Sequence, residues 1–142
     1  MYYCQNQNHD NLNKTEPAVL IESSHVHGCS NGNFNKWEKV KVGKQVFLQK
    51  YEQAEKDVKE VGTDQAKLEQ FMTEFSDELH TMMLNDRFND FSDVESGYPW
   101  HFEKHGSSIF ARNTFNFATV STQVLVIHKS GLAMISESIY RH

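Results

Sequence analysis

Phe47-Leu-Gln-Lys-Tyr51-Glu-Gln-Ala54-Glu-Lys-Asp-Val58-Lys-Glu-Val61 and Leu68-Glu-Gln-Phe-Met72-Thr-Glu-Phe75-Ser-Asp-Glu-Leu79-His-Thr-Met82 are the stretches on which the fold turns. In each, the apolar residues step by four and three, so a helix gathers them on one face. Gly62-Thr63-Asp64 divides the two runs. A glycine there can take a left-handed cap, and Thr63 or Asp64 can cap the helix that follows. The spacing therefore predicts helices over about 44–61 and 64–84, folded back as an antiparallel hairpin.

Strand-like segments flank this pair. Ala18-Val-Leu-Ile21 and His25-Val-His27 precede a turn signal at Ser30-Asn31-Gly32-Asn33, and Trp37 to Val42 reads as the return strand because Val40 and Val42 alternate with Lys39 and Lys41. Ser107–Ala111 and Thr114–Thr122 carry the Phe, Thr and Val content of strands. Gln123-Val-Leu-Val-Ile-His128 and Leu132-Ala-Met-Ile135 enclose Lys129-Ser130-Gly131, a three-residue turn with glycine at its positive-φ position. Both arms are apolar on alternate and intervening positions, which predicts a place at the centre of a sheet. The expected architecture is α+β: a mostly antiparallel sheet of about five strands, packed against a two-helix hairpin inserted after the first β-hairpin.

A chain of 142 residues fits one domain. Residues 1–16, rich in Asn and Gln, are expected to form a flexible N-terminal arm, and 17–142 the single α+β domain. Ten Phe, five Tyr and two Trp supply a core and argue against disorder. Two cysteines, Cys4 and Cys29, are too few for a disulfide-stapled secreted module. The N-terminus shows no basic-then-apolar leader and no window spans a bilayer, so the expectation is a cytoplasmic protein without membrane attachment.

Charge is uneven beneath a net value of −5. Residues 64–95 hold nine acidic side chains against Lys67 and Arg87. Such a surface repels a nucleic-acid backbone and suits a basic partner protein. Within the loop that leaves the second helix, Phe88 and Phe91 could dock in a partner's groove while Asp86, Asp90, Asp93 and Glu95 steer it. A homodimer through the heptad faces is a further expectation.

Histidines supply the alternative chemistry. His25, His27 and Cys29 alternate, as do His101, Glu103 and His105, so in strands each triplet shares a face and offers ligands that zinc uses. Neither spacing is a zinc signature, and no cofactor is expected on the leading reading. Cys29 with His27 or His105 as base would be a nucleophilic pair. Glycine-rich phosphate cradles and EF-hand spacing are absent from the sequence. The leading expectation is a small non-enzymatic interaction module, namely an inhibitor, adaptor or immunity-type protein, such as a viral or mobile-element accessory protein. The alternative is a metal-dependent or Cys/His hydrolase, or a small-ligand binder, that uses the histidine patches.

Overall fold

Helix α1 occupies Glu38–Val61 and helix α2 Gln65–Met83 in the computed structural model, which describes residues 2–3, 19–20, 26–30, 33–34, 37–90, 99–112 and 118–141. The joint between them uses both residues singled out for it. Gly62 sits at φ 69°, where a side chain is strained, and the Asp64 carboxylate accepts the Lys67 backbone N–H at 3.1 Å. After Asn85 the chain reaches a short helix α3, Trp100–Gly106, and then the strands that end it.

Six strands are present among the described residues, in three separate antiparallel pairs. β1 (Tyr2–Tyr3) pairs with β2 (Val19–Leu20), and β3 (Cys29–Ser30) with β4 (Asn33–Phe34). The third pair, β5 (Ser121–Ile127) and β6 (Ala133–Ile139), is a hairpin with Leu125 opposite Ile135 and Val124 opposite Ser136. Gly131, at φ 92°, turns the chain while its N–H donates to the His128 carbonyl at 2.9 Å.

A sheet of about five strands is therefore not the architecture; the chain is mixed α+β, with three helices and separate two-stranded pairs among the described residues. The helix pair does not lie side by side on a sheet. α1 packs on α2, and α2 packs in turn on the β5–β6 hairpin. Met72, Ser76, Leu79 and His80 of α2 are buried in the process, as is Leu68 near its start.

Three local departures have physical causes. The segment read as a return strand is the first turns of α1: Val40 is buried against Gly28, and Gly43 lies under Ile109, so the inward positions follow helical spacing rather than alternation. Ser107–Ala111 is not a strand, because its hydroxyls bond locally. Ser107 Oγ donates to the Lys104 carbonyl at 2.7 Å and Ser108 Oγ to that of Phe110 at 2.8 Å, offering the backbone an alternative to a ladder. Finally, β5 and β6 are not central strands: their odd-numbered positions face outward and are exposed. Of the arm expected at 1–16, residues 1 and 4–16 lie outside the described residues, as do 17–18, 21–25 and the part 114–117 of the strand expected at 114–122.

Candidate functional site

Gly28 brings an extended segment of the chain hard against α1. A Cβ added there would stand 2.5 Å from Val40 Cγ1, so only glycine permits this approach. The result is a groove of about 340 Å³ between residues 26–30, the N-terminal half of α1 and the end of α2. Val26, Val40, Phe47, Met82, Met83 and Ile109 make its lining mainly apolar. His27, Cys29, Ser30, Lys39 and Lys44 add polar groups.

Lys39 is the best-held of these. Its Nζ donates to the carbonyl of Gly106 at the C-terminal end of α3, and lies 5.0 Å from the centre of the Trp37 ring. A cation at that end of a helix meets carbonyls with no intrahelical partner. Burial pushes the Lys39 ammonium below the ordinary lysine range, so an anion placed beside it would offset that cost. Lys44 adds a second cation to the same groove.

A larger groove of about 420 Å³ runs between α1 and α2. Six of its polar side chains are matched with one another: Lys50 with Glu78 at 2.9 Å, Gln53 with Asp57 at 2.8 Å, Gln70 with Glu74 at 2.9 Å. The smaller groove is the better site, since it concentrates positive charge over an apolar floor.

Of the residues singled out by spacing, His27 and Cys29 enter this groove, and His25 lies outside the described residues. His101, Glu103 and His105 fall on α3, where His101 and His105, four apart, still share a face as expected for a helix, and Glu103, two from each, lies on the other side. The His105 ring meets Phe88 edge-on at 5.3 Å, and the His101 ring meets Phe102 at 4.7 Å. Among the described residues no three His, Cys, Asp or Glu side chains come together as metal ligands.

In the exit loop, Asp86 accepts a hydrogen bond from Arg112, and Phe88 lies under Lys104 at 5.3 Å. Asn89 fastens this loop by donating its side-chain amide to the Ser107 carbonyl at 2.8 Å. Asp90 is exposed; Phe91, Asp93 and Glu95 lie outside the described residues. Lys39 and Lys44 were the residues that spacing missed. The interleaving Lys36-Trp37-Glu38-Lys39 is a signal for Lys39 alone, and one aromatic among so few charges does not distinguish a site from a solvated surface.

Fold and groove together define a small mixed α+β chain with a cationic, apolar-floored cleft. The chain belongs to the Transport and Golgi organisation 2 family, whose model matches residues 1–142. No curated protein and no solved structure matches it. Family membership overturns the expectation of an inhibitor, adaptor or immunity-type module from a virus or mobile element. Among the described residues no helix is long and apolar enough to cross a membrane.

Proposed function

We propose that this chain serves in the transport and Golgi organisation for which its family is named, by holding a small anionic ligand with an apolar body in the groove beside α1. The observation that carries the proposal is Lys39: a half-buried ammonium, fixed against Gly106 and Trp37, at the edge of an apolar cleft that also contains Lys44. Groove volume supports it too, since about 340 Å³ falls within the few hundred Å³ usual for small-molecule sites. Chemically, the ligand's anion would sit at the two ammonium groups and its hydrocarbon would replace water over Val40, Phe47 and Met82. A cytoplasmic location belongs to the same proposal, supported by the low cysteine content.

Dodecanoate and dodecanol make a suitable pair of probes, because they share a tail and differ in charge. Titration followed by Trp fluorescence should show dodecanoate binding at least about tenfold more tightly, with most of that preference lost in Lys39→Met. Equal affinity of the two probes for the native chain would overturn the proposal.

A further inference from the structure

Of the two faces of the β5–β6 hairpin, α2 covers one, and the other is exposed among the described residues. On the outward face Leu125 and Ile135 are opposed across the strands, with Ile127 beyond them and Ile139 at the far end. These four side chains are 62–70% exposed. Isolated exposed aliphatics are ordinary, but four on a single face of a single hairpin form a contiguous patch.

The polar content of that face is small. Its remaining positions are Ser121, Gln123, Ala133 and Glu137, so Glu137 brings the only charge, and Gln123 Nε2 already donates to it at 3.1 Å. A strongly charged partner would find a single carboxylate to pair with.

We propose that this outward face is the contact between two copies of the chain, packed sheet to sheet. Three considerations select a second copy. An almost uncharged apolar face is complementary to itself, and a two-fold axis through the Leu125–Ile135 row sets that row against its own equivalent. Two twisted sheets pack face to face about 10 Å apart, with outward side chains interdigitating in the manner these alternating aliphatics allow. The area also suffices: four aliphatics exposed over about two-thirds of their surface, with the four smaller or polar neighbours between them, present on the order of 800 Å² per copy, which is the usual size of one side of a specific interface. The heptad stripe of α1 is thereby left out of the contact.

Sedimentation equilibrium of the full chain at about 50 µM, near the micromolar affinities common for such areas, should give twice the 16.5 kDa chain mass. Ile135→Glu should give the single-chain mass with helical circular dichroism and cooperative melting retained, because its side chain points away from α2. Tyr51→Glu, on α1, should leave the dimer intact. If Ile135→Glu fails to fold, Leu125→Ala with Ile135→Ala should weaken dimerisation at least about tenfold without adding charge. A native chain of single mass, a dimer indifferent to these hairpin substitutions, or one abolished by Tyr51→Glu overturns the proposal.

Discussion

His80 on α2 and Ser136 on β6 lie 2.9 Å apart, Nε2 to Oγ, across the layer that joins helix to hairpin. The Ser136 hydroxyl also shares a 2.5 Å hydrogen bond with that of Ser76, one turn earlier on α2. Ser76 and His80 are both buried, so Ser136 is the one group that serves two polar side chains cut off from water. Ser136→Ala should therefore destabilise the chain by roughly 1–3 kcal/mol, more than a single exchanged hydrogen bond is worth. Urea unfolding should show a lower midpoint with an unchanged slope; a loss within about 0.5 kcal/mol would mean that this bridge does not hold the hairpin.

Gly28 yields a prediction on packing. In Gly28→Ala the new Cβ meets Val40 Cγ1 at 2.5 Å, and Val40 is a stiff, buried β-branched residue that cannot swing aside. Either segment 26–30 lifts or α1 shifts. The expected cost is about 1–3 kcal/mol by thermal denaturation, accompanied by weaker dodecanoate binding because the groove wall moves.

The two heptad stripes should respond unequally. Met72 is 1% exposed between α1 and the hairpin, so Met72→Ala should cost about 2–5 kcal/mol. Tyr51, at the matching place on α1, is 44% exposed and stacks on Phe47 with ring centres 6.1 Å apart. Tyr51→Ala should change stability by less than about 1 kcal/mol, and chemical denaturation of the two variants side by side decides the matter.

Arg112 and Asp86 link the exit loop to the chain beyond α3. The hydrogen bond from Arg112, and then its charge, hold the Asp86 carboxyl below its ordinary value of 3.8. A carboxyl lowered in the folded state adds stability above its unfolded pKa and forfeits it as pH falls through the folded value. Arg112→Gln should move the Asp86 titration upward, as read by carboxyl carbon NMR. Stability at neutral pH should hardly change, since the pair is exposed to solvent and salt.

How far the residues disclosed the structure depends on how many partners each pattern needed. Helices at Phe47–Val61 and Leu68–Met82 follow from spacing alone, because neighbours three and four apart lie within the same segment. The Asp64 cap and the Gly131 turn are local in the same sense. The alternation of Val40 and Val42 misled because the contact that settles it, Gly28 against Val40, comes from another part of the chain. Apolar strands at Val124–Ile127 suggested a central place in a sheet, yet apolarity does not say what covers a face, and here α2 covers one side alone. The groove stayed hidden for a similar reason: Lys39 gains its character from Gly106, 67 residues away.

Trp37 and Trp100 give the chain a built-in optical readout. Trp37 is 2% exposed, its indole N–H has no hydrogen-bond partner among the described residues, and Lys39 stands over its ring; Trp100 is 65% exposed on α3. Emission from the first should lie at shorter wavelength and resist acrylamide, whereas the second should be quenched freely. With Trp100→Phe the whole signal comes from the ring beneath Lys39, itself a lining residue of the groove, so one spectrum reports both whether the chain is folded and whether the site next to that ring is filled.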